Sequence, residues 1–242
     1  MDNTTRALVD SHCDRRRLRR RLGPSVPGEG GAAWGLGGGE ALTALEDIYQ
    51  GLPYEDFKKA SRAFIEPLET GYRSFTYGEL GFLAVKDFLA VCELEGKRNL
   101  TFYDLGSGSG KPVFQAALLE PCFSKLVGIE LIPELHAFAN QALERCAELG
   151  YGGQGIEFVC GDIMREDWSD GDVIVINSTL FDVRLRASLE ARLIESIKPG
   201  AHILTLTHPL KSDAAFELLQ SKHRRMSWGH AEMFMYRKKS KP

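Results

Sequence analysis

Phe102-Tyr103-Asp104-Leu105-Gly106-Ser107-Gly108-Ser109-Gly110-Lys111 is a hydrophobic strand end, an acid, three glycines at alternate positions and the start of a helix. Glycine lacks a Cβ, so the turn can take left-handed backbone and let a ligand come close. The N–H groups at the start of the following helix offer donors, and such a place suits a ligand carboxylate as well as a phosphate. A dinucleotide fingerprint is G-x-G-x-x-G after a strand, with an acid roughly 20 residues further on. Here the spacing is G-x-G-x-G, and Asp104 stands before the first glycine. An acid in that place accepts from an ammonium group and repels a pyrophosphate.

Outward from this run the hydrophobic period switches repeatedly between that of strands and that of helices. Strands are expected over 100–105, 125–130, 156–160, 172–176 and 202–207, and a late antiparallel one over 231–237. Helices are expected over 111–120, 133–149 and 183–197, and an earlier amphipathic helix carries Leu80, Leu83, Phe88 and Val91. Alternating strands and helices imply an α/β, Rossmann-like, doubly wound and mostly parallel sheet with its ligand at the carboxyl ends of the strands.

Three segments follow from composition. Residues 1–40 hold six arginines between Arg15 and Arg21 and then a run dense in glycine and proline, which reads as a disordered basic and Gly-rich arm. Residues 41–75 carry helical spacing at Leu42, Leu45, Ile48 and again at Phe57, Ala60, Phe64, a small helical cap and loop; 76–242 is the α/β domain. A second basic group closes the chain: Lys222, Arg224, Arg225, Arg237, Lys238, Lys239 and Lys241. The overall net charge of −3 therefore conceals two stretches suited to polyanions. The five cysteines are scattered with no C-x-x-C pair, which indicates neither a disulfide framework nor zinc and fits a reducing compartment. The six histidines show no metal spacing either, so no metal is expected. No apolar stretch has the roughly 20 residues of a membrane span, and no signal-type apolar block opens the chain.

Two further acids stand at strand ends. Glu130, followed by Leu131, lies 26 residues after Asp104 and can accept both hydroxyls of a ribose; its plainer role is a charge at a helix N-terminus. Asp162, in Cys160-Gly161-Asp162-Ile163, can accept from an adenine amino group while Ile163 packs on the ring, or simply form a turn. Asp104, Glu130 and Asp162 together describe a ligand with an ammonium group, a ribose and an adenine: S-adenosyl-L-methionine. Gly106, Ser107, Gly108, Gly110 and Lys111 then form the turn against it. The fourth strand ends Asn177-Ser178-Thr179-Leu180-Phe181-Asp182, where Asn177 is the candidate acceptor-side residue, the alternative being a helix cap with Asn177 satisfying a turn.

On these residues the chain resembles the non-SET histone lysine methyltransferases named for disruptor of telomeric silencing. The resemblance is carried by Tyr77-Gly78-Glu79, Asp104 to Gly110, Gly161-Asp162-Ile163 with Glu166-Asp167-Trp168, and Asn177 to Phe181. Ser227-Trp228-Gly229 with Phe234 and Tyr236 is a weaker fifth match. It implies a seven-stranded methyltransferase sheet, Tyr77 and Glu79 at the methionine end of the cofactor, and Asn177, Phe181, Trp228 and Tyr236 around a lysine channel. The family commonly has Asn-Asn-Phe where this chain has Asn177-Ser178-Thr179, so a channel of different width is expected and the resemblance does not fix the degree of methylation. It also implies a nuclear enzyme acting on a core-surface lysine of histone H3 in nucleosomes, its basic arms touching DNA through phosphates. A lysine methyltransferase for another protein, a small-molecule methyltransferase and a catalytically silent adaptor are the alternatives.

Overall fold

The computed structural model describes residues 35–53, 55, 56, 59, 78–153, 155–179 and 181–240. Among them are the helices α1 (Gly38–Tyr49), α2 (Phe82–Val91), α3 (Lys111–Leu119), α4 (Pro133–Glu148) and α5 (Val183–Ser196). The strands are β1 (Leu100–Leu105), β2 (Phe123–Glu130), β3 (Ile156–Cys160), β4 (Val173–Ile176), β5 (His202–Leu206), β6 (Phe216–Met226) and β7 (Gly229–Lys238).

The strands form one sheet in the order β3-β2-β1-β4-β5-β7-β6. The first five run parallel; β7 is antiparallel to β5, and β6 pairs with it as an outer hairpin. The chain reverses its direction of travel across the sheet between β1 and β4, the place where open α/β sheets leave a crevice. Strands β1, β3, β4 and β5 are buried on both faces, which is why they read as apolar runs rather than as alternations.

Successive β1 residues go to opposite cores. Phe102 joins α1, α2 and α3 around Phe88, Phe114 and Leu118, while Tyr103 and Leu105 join α5 and Trp168 on the other face. The helix starts follow local chemistry. Asp182 accepts from Leu185 N–H at 2.8 Å to cap α5, and prolines open α3 and α4, where a missing N–H costs nothing.

The expected fold class stands, with three local differences. β6 was not anticipated, because as an edge strand it is mostly exposed and polar, giving no period-two apolar signal. Gly38–Glu40, read as the end of the arm, already belong to α1, where Glu40 reaches back to Gly37 N–H at 3.2 Å. The closing basic group is largely woven into the hairpin. Lys222 and Arg224 reach Asp87 of α2 at 3.1 and 2.5 Å, Arg237 pairs with Glu217 at 2.8 Å, and Lys238 is buried. The arginine block, most of the second cap helix, Tyr77 and Lys241 lie outside the described residues. Cys92, Cys122 and Cys146 are buried free thiols. Among the described residues no helix is long and apolar enough to cross a membrane, and no cluster of metal-ligating side chains occurs.

Candidate active site

Gly106, Gly108 and Gly110 all adopt left-handed backbone, with φ of 91°, 53° and 85°. They are not equivalent. A Cβ on Gly110 would lie 2.5 Å from the buried Phe158 ring, so this glycine serves the packing of α3 on β3. A Cβ on Gly106 would meet only Phe181, at 3.9 Å, so its open side faces the crevice. The turn's N–H groups are used within the fold: Gly106 and Ser107 donate to the Ile129 carbonyl, Gly110 to the Ser107 carbonyl and Gly108 to Glu130. The expectation of free donors is thus corrected for these four; the turn offers a close approach and positioned carboxylates. Ser107 Oγ is buried beside Gly128 and has no partner.

Glu130 ends β2 with Oε2 accepting from Gly108 N–H at 2.7 Å and Oε1 from Ile132 N–H at 2.8 Å. These bonds tie the acid to the glycine turn and fix its orientation. Burial raises its pKa, opposed by the N–H groups of Ile132, Gly108 and Leu131. Asp104 is 2% exposed and its Oδ2 has no partner. Burial, then the neighbouring Glu130 charge, pushes it up to about 8. A buried acceptor without a donor is costly, and the raised pKa reflects that cost to the ionised form. Asp162, half-buried after β3, turns the chain by accepting from Met164 N–H at 2.8 Å. Ile163 is held by its carbonyl, which accepts from Trp168 Nε1 at 2.8 Å and Arg192 Nη1 at 2.9 Å. Trp168, fully buried, thus supports this corner from below.

Gly78 and Glu79 close the site from the other side, clamped by three distant parts of the chain. Asn177 Nδ2 donates to the Gly78 carbonyl at 3.0 Å. The β6–β7 turn contributes Ser227, whose Oγ accepts from Glu79 N–H at 2.9 Å, and Trp228, whose ring leaves no room for a side chain on Gly78. The glycine turn contributes Ser109 Oγ and Lys111 Nζ, at 2.7 and 2.5 Å from the Glu79 carboxylate. Lys111 is therefore engaged by Glu79 and also stands 5.0 Å over the Tyr49 ring.

Of the aromatic candidates, Phe181 sits over Gly106 and Trp228 over Gly78. Tyr236 is deeper: it pairs with Ile203, packs on Phe216, and its hydroxyl accepts from Leu210 N–H at 3.0 Å. Phe234 shares that face but pairs with Thr205, nearer the carboxyl end of β5. The register thus places Phe234, rather than Tyr236, toward the crevice.

Two contributors had not been foreseen. Tyr49, at the end of α1, donates its hydroxyl to the Ser109 carbonyl at 2.7 Å; burial, then the Glu79 charge, holds the phenol well above its ordinary pKa, so it remains a donor. Nothing in the local sequence of α1 signals this contact across 60 residues. Thr207, just past β5, has φ 66° and centres a tight turn in which His208 N–H donates to the Leu206 carbonyl at 2.7 Å. Left-handed backbone at a β-branched residue stores about 1–3 kcal/mol of strain.

A sheet of this order with acids at the ends of its first three strands defines the Rossmann-like methyltransferase fold. An RNA methyltransferase from Salinibacter ruber, solved in complex with S-adenosyl-L-homocysteine, matches 65% of this chain and 92% of its own at TM-score 0.52 and 22% identity. A putative methyltransferase from Escherichia coli matches 65% of this chain and 87% of its own at TM-score 0.51 and 16% identity. The family model of the histone methylation protein DOT1 matches residues 67–234, and the chain belongs to that family. A histone-lysine N-methyltransferase, H3 lysine-79 specific, of Eremothecium gossypii is 32% identical over 202 residues, covering 69% of this chain and 34% of the relative. A protein of the same description from Caenorhabditis elegans is 29% identical over 148 residues, 57% of this chain and 16% of the relative. The chain thus spans 34% and 16% of the length of these two curated relatives.

Proposed function

We propose that this chain is an S-adenosyl-L-methionine-dependent lysine methyltransferase of the nucleus, acting on a core-surface lysine of histone H3 in nucleosomes. The observation that carries the reading is the buried, partnerless Oδ2 of Asp104 beside a Glu130 fixed by the backbone of the glycine turn. This donor set fits the cofactor: Asp104 takes the ammonium group, Glu130 the ribose hydroxyls, and Asp162 with Ile163 the adenine. When bound, the cofactor supplies a methyl group activated by a sulfonium. From the family resemblance, Tyr77 with Glu79 is assigned to the methionine end of the cofactor and Leu131 to its ribose.

The rest of the mechanism is positioning by the chain. Asn177, bridging β4 and Gly78, holds the acceptor-side loop against the crevice. Phe181, Trp228 and Phe234 form an apolar surround in which a lysine amine, ordinarily of pKa about 10.4, is favoured as the neutral nucleophile by desolvation. Their faces also favour a methylated ammonium product. The DNA contact falls to the arginines between Arg15 and Arg21, since in the closing basic group Lys222 and Arg224 are paired with Asp87 of α2 and Arg237 with Glu217.

The test is transfer of labelled methyl to nucleosomes, free histones and a whole-cell lysate. Label on H3 within nucleosomes is expected, reduced at least tenfold in Asn177→Ala. Label on another lysate protein with nucleosomes untouched rejects the histone assignment. Tight cofactor binding without transfer to any protein supports a silent adaptor instead.

A further inference from the structure

Asn177 Oδ1 accepts from Thr179 Oγ1 at 2.9 Å, and Thr179 Oγ1 lies 3.0 Å from Thr207 Oγ1. A threonine hydroxyl carries a single proton. Thr179 uses its proton on Asn177, so Thr207 donates to Thr179, and the chain of bonds runs from Thr207 through Thr179 to Asn177. Thr207 is left as a pure acceptor at the exposed end of this chain, on the carboxyl edge of the sheet. Its strained turn is held on both sides, by His208 N–H on the Leu206 carbonyl and by Thr207 N–H on the Glu232 carbonyl at 2.8 Å. Glycine would relax at such a position; threonine there keeps a hydroxyl aimed at Thr179.

We propose that Thr207 Oγ1 accepts an N–H of the substrate amine and so limits the degree of methylation, Thr179 and Asn177 fixing the direction of that acceptor. The proposal rests on the lysine methyltransferase reading above. In each round the amine lone pair forms the bond to the methyl carbon as the carbon–sulfur bond breaks toward sulfur, and the nitrogen then sheds one proton to water. A neutral primary amine has two N–H groups, its monomethyl form one and its dimethyl form none. Thr207 therefore orients the nitrogen for the first two transfers and has nothing to hold in the third. Products accumulate at the mono- and dimethyl stage.

Reconstituted nucleosomes and S-adenosyl-L-methionine, with mono-, di- and trimethyl-lysine resolved by mass spectrometry, test this. Thr207→Val keeps the shape without the hydroxyl and should slow the first two rounds about fivefold, the weight of one neutral hydrogen bond, while sparing the third. Thr207→Ser should restore the wild-type ratio. Thr207→Gly removes hydroxyl and strain together, so it should hold or raise the melting temperature yet give the valine variant's product ratio, which a structural role would not do. Affinity for S-adenosyl-L-homocysteine should be unchanged throughout. A wild-type product ratio in Thr207→Val or Thr207→Gly overturns the proposal alone. A wild-type chain that binds S-adenosyl-L-homocysteine but makes no methyl-lysine overturns the functional reading, and this proposal with it.

Discussion

Two glycines of the same turn separate what holds the fold from what admits a ligand. Gly110 combines φ 85° with a Cβ position 2.5 Å from Phe158, a ring that is itself 1% exposed. Gly110→Ala should cost roughly 2–4 kcal/mol, from backbone strain plus overpacking, measured by chemical denaturation. Gly106 has the same backbone problem at φ 91° but open space beside it. Gly106→Ala should cost only about 1–2 kcal/mol and yet weaken S-adenosyl-L-homocysteine binding at least tenfold by calorimetry, because its methyl group enters the crevice. Alternate glycines were visible in the sequence; which faces the core and which the ligand depends on Phe158, 48 residues away.

At the scale of elements, α1 acts as a brace for the glycine turn rather than as a separate cap. Tyr49 packs edge-on to Phe114 at 5.9 Å and reaches Ser109 with its hydroxyl, while Asp47 receives Arg145 and Tyr151 from α4 and the loop after it. Tyr49→Phe keeps the ring and removes the hydrogen bond. It should lower stability by about 1 kcal/mol and weaken cofactor binding several-fold, both measurable by titration with S-adenosyl-L-homocysteine. The parallel strands and helices were legible because apolar runs and caps are local. The edge strand β6 was not, because its exposed polar face carries no apolar alternation, although it pairs with β7 across a short local turn.

For the whole molecule, the buried acids link stability, ligand binding and pH. Asp104 in the folded chain has its pKa raised to about 8, above the unfolded value near 3.9. Between those values the folded state holds a proton that the unfolded state has released, so the ligand-free protein loses stability as pH rises from about 4 to about 8. Asp104→Asn should flatten that decline and stabilise the empty protein more at pH 8 than at pH 5, as melting curves across this range can show. In the wild type, ammonium binding requires the ionised form, so affinity for S-adenosyl-L-homocysteine should rise with pH up to about 8, a trend absent in the variant. A flat wild-type profile would count against Asp104 as the ammonium partner.

The sequence by itself determined the alternation of strands and helices, the glycine turn, and the three strand-end acids, because periodicity, backbone freedom and charge are properties of short stretches. Tertiary structure alone decided that Gly78 and Glu79 are clamped by Asn177, Ser227, Trp228, Ser109 and Lys111. It also set Phe234 ahead of Tyr236 and put Thr207 at the end of the Asn177 chain. These are matters of register between strands and of which loops meet at one edge of the sheet. Such contacts join residues up to 148 positions apart, and no local pattern encodes them.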